Sequence, residues 1–282
     1  MPSNLVHEYP PKPSMNKIPK CNLHHVAYMA RLFLAEMLGL GLILFVIVIY
    51  QPGEKPVVPV PFVVGAVFAW VICVFGPISG AQVNPSVSLA LMLTRRLSVV
   101  HGLICIVGQI VGATCGAVLG RVAGPANVTD VPNVGMTIRS PSISVPQAVG
   151  LEVFGTMVLV GIVLSVCDEF RGRVWSTGHL STFPLLFGVT LFLLATILGP
   201  YTGGSMNPAL SLGGAFANRN FREIWIYIVG PLTGSVLVTL TYELLISEGA
   251  SWARIKAMLT ESDFDRSKNY TLGKHDDEDE DM

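Results

Sequence analysis

The chain has 282 residues, 51% of them hydrophobic and 13% charged, about half the charged share of a soluble globular protein. Its formal net charge of -1 conceals a split, because six acids from Asp276 to Asp281 form a terminal run on an otherwise mildly basic chain. These values exclude an ordinary soluble domain and imply a polytopic membrane protein with a solvated acidic tail.

A polar, proline-bearing N-terminal tail is expected over residues 1–27, with no cleavable signal peptide. Spans of about 20 mostly apolar residues are then expected over Tyr28 to Tyr50, Val57 to Phe75, Val99 to Arg121, Gln147 to Cys167, Thr182 to Leu198 and Ile224 to Ile246. A tail follows over 248–282. The cysteines, Cys21, Cys73, Cys105, Cys115 and Cys167, form no CxxC pair and mostly lie in apolar runs. Neither a metal site nor a disulfide framework is expected, and no nucleophile or acid–base pair suggests an enzyme.

One stretch is written twice. GPISGAQVNPS from Gly76 to Ser86 and GPYTGGSMNPA from Gly199 to Ala209 align at a constant offset of 123 residues, and Ser88/Ser211 and Leu89/Leu212 extend the match. This is the mark of a duplicated half, with repeats at about 28–125 and 146–247. The short apolar runs that follow, Asn84 to Leu93 and Asn207 to Ala217, are too short to cross a hydrocarbon core of about 30 Å. They read as half-spans. Each copy opens with Gly-Pro, where the preceding helix is expected to end, and closes with Asn-Pro, where Asn as N-cap and Pro at the first helical position start a new helix.

Three spans per half invert the second half relative to the first. With both ends in the cytoplasm, thirteen Lys and Arg lie inside and five outside, as the positive-inside bias requires. Asn127, in the sequon Asn127-Val128-Thr129, then falls outside and is a glycosylation candidate. Gly108, Gly112, Gly116 and Gly120 recur every fourth residue, and so do Gly230 and Gly234; such stripes let helices approach closely in lipid. Arg95, Arg96, Arg171 and Arg173 are expected at anionic headgroups or an inner vestibule.

Helix N-termini carry roughly +0.5 charge each, so two that meet in mid-membrane repel cations and protons but not neutral molecules. The pore centre is expected at Asn84, Pro85, Ser86, Asn207, Pro208 and Ala209. Each Asn is expected to donate an amide hydrogen to a passing oxygen, beside an acceptor ladder of free carbonyls from Gly80 to Val83 and Gly203 to Met206. Glu36 and Glu152, each early in an apolar helix, are functional candidates.

Six spans, two half-helices and the SGAQVNPSVS and TGGSMNPALS boxes, together with AEMLGLG around Glu36, LEVFGTM around Glu152 and GPLTGS from Gly230, resemble the aquaporin (major intrinsic protein) family over roughly 28–247. The resemblance implies an all-α fold of two inverted repeats, a homotetramer in the plasma membrane, and a passive channel whose partners are small neutral solutes, water and membrane lipid. No cofactor and no nucleic acid are implied. It gives Glu36 and Glu152, with Gln109, the task of supporting the loops. It places a selectivity filter at Val64, Ala195, Gly204 and Leu210.

There the chain departs from the family. Water-selective members carry an aromatic, a histidine and an arginine in the filter, and glycerol-conducting members keep the arginine; Leu210 stands in its place. A wider pore passing glycerol, urea or related polyols follows, together with water. A non-conducting structural or adhesive role and a leaky ion pathway remain open alternatives, as does narrowing by Phe62, Phe192 or Tyr201. Ser211 stands where glycerol-conducting members usually have aspartate, so the scaffold looks like the water-channel branch with an altered filter.

Overall fold

The computed structural model of the chain describes residues 23–50, 58–124, 132–169, 173–266, 268 and 270, and for 173–181 the backbone alone. In chain order the helices are α1 (Leu23–Ile49), α2 (Val60–Ser79), α3 (Pro85–Leu93), α4 (Val99–Ala123), α5 (Val145–Val166), α6 (Arg173–Thr202), α7 (Pro208–Asn218), α8 (Ile226–Thr241) with a π turn (Tyr242–Ile246), and α9 (Trp252–Thr260). Among the described residues, six stretches are long and apolar enough to span a membrane: α1, α2, α4, α5, Thr182–Thr202 of α6, and Ile226–Ile246. The protein is thus an all-helical, multi-pass membrane protein.

Glycines decide how closely these helices pack. A Cβ on Gly108 would lie 2.7 Å from the carbonyl oxygen of Phe33, and one on Gly112 or Gly116 would overlap the backbone of Met37 or Gly41. The α4 stripe is therefore the seam against α1. Gly230 and Gly234 serve the same purpose between α8 and α5, where added methyls would strike Glu152 Cβ and the Val153 carbonyl. The two seams occupy equivalent places in the two repeats. The half-helices interlock them, since α7 packs chiefly on α4 and α3 chiefly on α8.

The Gly-Pro pairs do not end their helices, contrary to the sequence expectation. Pro77 and Pro200 lie inside α2 and α6, which run on to Ser79 and Thr202. Proline removes one N–H but fits a last turn whose next residues still close. The stop comes at the second glycine: Gly80, at φ +86°, donates to Gly76 O at 2.9 Å, and Gly203, at φ +82°, donates to Gly199 O at 3.0 Å. Left-handed backbone without strain is what glycine supplies there. Elsewhere α5 starts earlier than expected, because Ser144 and Gln147 form a capping box.

The tail does not leave the bundle at residue 248. Helix α9 is capped by Ser251 and buries Arg254, Ile255, Ala257 and Met258. It lies on the terminal face, where the starts of α1 and α4 meet the ends of α5 and α8. Asn127, Arg171 and the acidic run lie outside the described residues, as does the side chain of Arg173.

Candidate functional site: two crossed half-helix boxes

At each box asparagine caps a half-helix. Asn84 Oδ1 accepts from Ser86 N at 2.8 Å, and Asn207 Oδ1 accepts from Ala209 N at 3.1 Å and Leu210 N at 3.3 Å. Pro85 and Pro208 take the first helical positions, where the missing N–H costs nothing. The amide nitrogens then cross. Asn84 Nδ2 donates to Met206 O at 2.9 Å, and Asn207 Nδ2 donates to Val83 O at 2.7 Å. The two N-termini are thereby stapled to each other's loop, and both asparagines are buried.

This corrects one expectation. The Val83 and Met206 carbonyls are engaged in the crossing bonds, so neither end of the expected acceptor ladder is free. An asparagine amide has two hydrogens; the crossing bond takes one and fixes where the other points.

The loops before the boxes are strained. Ala81, Val83 and Met206 have φ between 41° and 51°, costly for residues with a Cβ. Two buried carboxylates compensate. Glu36 accepts from Ser79 Oγ at 2.6 Å, Gln82 N at 3.0 Å, Val83 N at 2.7 Å and Gln109 Nε2 at 2.7 Å. Glu152 accepts from Thr202 Oγ1 at 2.7 Å, Ser205 N at 3.1 Å and Met206 N at 2.7 Å. Ser79/Thr202, Gln82/Ser205 and Val83/Met206 are equivalent by the 123-residue offset.

Behind each box stands a hydroxyl that the sequence marks only through the matched pair Ser88/Ser211. Ser88 Oγ donates to Gln82 Oε1 at 2.6 Å and accepts from Gln109 Nε2 at 3.1 Å. Ser211 Oγ lies 2.5 Å from Ser205 Oγ and 2.7 Å from Thr137 Oγ1. Through Thr137 the α4–α5 connection is tied over the second loop, where Ser140 N also donates to Tyr201 O at 2.7 Å. Ser86 is asymmetric with Ala209: Ser235 Oγ donates to its carbonyl at 2.6 Å, but its own buried hydroxyl has no hydrogen-bond partner among the described residues.

Of the four expected filter residues, Gly204 lies against Ala195, where a Cβ would sit 3.5 Å from Ala195 Cα. Leu210 belongs to the buried apolar core, and Val64 packs partly buried against that core. Tyr201 points elsewhere, into an open groove of about 340 Å³ between α5 and α6 with Ile143, Gln147, Gly150, Leu151 and Ile197. Phe62 and Phe192 pair edge to face at 6.1 Å, both exposed. Two positions from Val64, Phe62 leaves the opposite side of α2.

On the terminal face, Arg96 does not reach for headgroups. It donates to Glu169 Oε2 at 2.9 Å and Glu243 Oε1 at 3.1 Å, while Arg266 NH2 donates to Glu243 Oε1 at 2.8 Å and Arg254 Nε lies 3.4 Å from Glu243 Oε2. Burial pushes the Glu169 carboxyl up, but Arg96 and Arg266 outweigh it and hold it below the usual carboxylate range. Arg95 donates to Glu261 O at 2.6 Å. The sequence hint was a lone glutamate, Glu243, near the end of an apolar span.

Two capped half-helices meeting nose to nose between inverted three-span repeats decide the kinship, and the comparisons agree. Residues 23–242 match the model of the family described as "Major intrinsic protein". The chain belongs to the major intrinsic protein family. It is 34% identical over 197 residues to the lens fiber major intrinsic protein of Ovis aries, covering 70% of this chain and 72% of that one. It is 34% identical over 176 residues to aquaporin-1 of Ovis aries, covering 62% of each. Its fold is similar to the X-ray structure of the aquaglyceroporin from Plasmodium falciparum, at 22% identity and a TM-score of 0.65, over 77% of this chain and 97% of that one. Members of this aquaporin family are channels for water and small neutral solutes, and they are not enzymes.

Proposed function

We propose that the protein is a passive channel for small uncharged solutes with carbon skeletons, such as glycerol, urea and related polyols, with water as a co-permeant. The observation that carries this reading is the set Val64, Ala195, Gly204 and Leu210, which has no aromatic and no cation. Small apolar walls widen a filter that bulky rings would close, and polyol carbons lose little on meeting them. Ion exclusion then rests on the paired dipoles at Asn84 and Asn207 alone, since no arginine fork backs them at Leu210. The remaining amide hydrogen of each asparagine orients a passing oxygen and interrupts a proton wire. Glu36, Glu152 and Gln109 support the loops that hold those donors.

In the same reading the subunits form a homotetramer in the plasma membrane, the terminal face is cytoplasmic, and Asn127 is glycosylated outside. The channel domain spans 28–247 between N-terminal residues 1–27, the last of which open α1, and a C-terminal segment over 248–282, of which α9 packs on the terminal face.

Cells expressing the protein should swell in isosmotic glycerol or urea, and Leu210→Arg should abolish that swelling by narrowing and charging the filter. Swelling equal to control cells for both solutes and for water overturns the proposal in favour of a structural role. A steady current under voltage clamp that Leu210→Arg removes overturns it in favour of ion conduction.

A further inference from the structure

Helix α9 presents two faces with different demands. Arg254, Ile255, Ala257 and Met258 are buried on the terminal face, and Arg254 lies beside Glu243. On the opposite side, at i, i+4 and i+7 spacing, stand Trp252, Lys256 and Leu259. Trp252 and Leu259 are each 70% exposed. An amphipathic helix whose inner face is already buried has no folding reason to display a tryptophan and a leucine outward.

Three observations name what covers them. The first is continuity: Leu245 and Ile246, which end the last span, are 79% and 53% exposed, and in a spanning segment such exposure faces acyl chains. The second is depth. Ile226–Ile246 has 21 residues, a length of about 31 Å at the helical rise against a hydrocarbon core of about 30 Å. Exposed Trp225 borders one end of it, and Trp252 lies one short turn past the other. Tryptophans gather at the two membrane interfaces, and this pair flanks the two ends of the span along the chain. The third is chemistry: Lys256, between Trp252 and Leu259, can lay its stem along them while its ammonium meets a lipid phosphate.

We infer that α9 lies in the plane of the membrane interface, with Trp252 and Leu259 dipped into the headgroup–acyl boundary and Lys256 on lipid phosphate. The helix is then held from both sides, by the Arg254–Glu243 contact within and by phospholipid without.

The test uses the full chain in nanodiscs of phosphatidylcholine and phosphatidylglycerol. The fluorescence of the protein minus that of W252F isolates Trp252 from the other three tryptophans. The expected Trp252 emission is blue-shifted, is lost when the phosphatidylcholine is brominated near the headgroup end of its chains, and is unaffected by aqueous iodide. L259W in the W252F background should report the same depth, with size-exclusion chromatography confirming the folded particle for each variant. Quenching by iodide and not by bromolipid overturns the inference in favour of a water-facing helix. Quenching by neither overturns it in favour of a protein surface, such as a second copy of the chain.

Discussion

Asn84 and Asn207 each reach across to the residue before the other, Asn84 to the Met206 carbonyl at 2.9 Å and Asn207 to the Val83 carbonyl at 2.7 Å. Neither half of the site is complete alone, because each loop's last carbonyl is satisfied by the opposite box. Asn207→Ala should cost about 1 kcal/mol for the lost cap and about 1–3 kcal/mol more for the orphaned Val83 carbonyl. Asn84→Ala should cost a similar amount. Thermal unfolding in detergent reads the loss, and equal stability of both variants to the parent would sink the stapled geometry.

The Glu36 and Glu152 carboxylates act only as acceptors, each towards two backbone N–H groups and side-chain donors. Replacing either by Gln turns one acceptor oxygen into an NH2 group facing backbone N–H, so Glu36→Gln and Glu152→Gln should each destabilise by about 1.5–3 kcal/mol. Thr202→Ala, which removes a single neutral partner of Glu152, should cost about 1 kcal/mol. The order of the unfolding midpoints is the check.

Ser86 offers the opposite sign. Its hydroxyl is buried without a partner among the described residues, whereas its carbonyl bond from Ser235 and its N–H bond to Asn84 involve the main chain. Ser86→Ala keeps both and removes an unpaired polar atom, so stability should hold or rise by up to about 1 kcal/mol, with unchanged solute flux. A clear loss of stability would show that the hydroxyl has a partner in the folded protein.

Gly116 leaves no room for a methyl against Gly41. Gly116→Ala should force α1 and α4 apart, at about 1–3 kcal/mol. Gly150, with open space around its Cβ direction, is the control. Recovery of monodisperse protein should fall for the first variant and not for Gly150→Ala.

The terminal-face cluster makes stability depend on pH. Arg96 and Arg266 hold Glu169 below its unfolded pKa despite burial, so its contribution is fully present above the unfolded value, ordinarily about 4.3, and is lost as pH falls through the lower folded value. Unfolding midpoints between pH 7 and pH 3 should fall steeply only at the acid end, and Glu169→Gln should flatten that limb. Glu243→Gln, which leaves buried Arg254 short of its countercharge, should cost about 3–5 kcal/mol at neutral pH.

What could be read without coordinates was whatever is periodic or local. Apolar runs of span length, the 123-residue echo, Asn-Pro as a helix start and the fourfold glycine spacing all depend on neighbours in sequence, and the helices and seams lie where these patterns put them. The Gly-Pro pairs misled because a proline near a helix end is compatible both with stopping and with one further turn. The following glycine's left-handed φ, set by how each loop enters its half-helix, decides between them.

The sequence by itself determined that this is a membrane protein of six spans built from two copies, and which residue types stand at its centre, because hydrophobic length and repetition are properties of the linear chain. Only the tertiary structure decided which acceptor each asparagine reaches, which hydroxyl braces each box, and that Arg96, Glu169, Glu243 and Arg266 form one cluster. Those partners are separated by up to 147 residues in the chain. Burial obliges each such group to find a partner, but nothing short of the folded bundle specifies which one comes within reach.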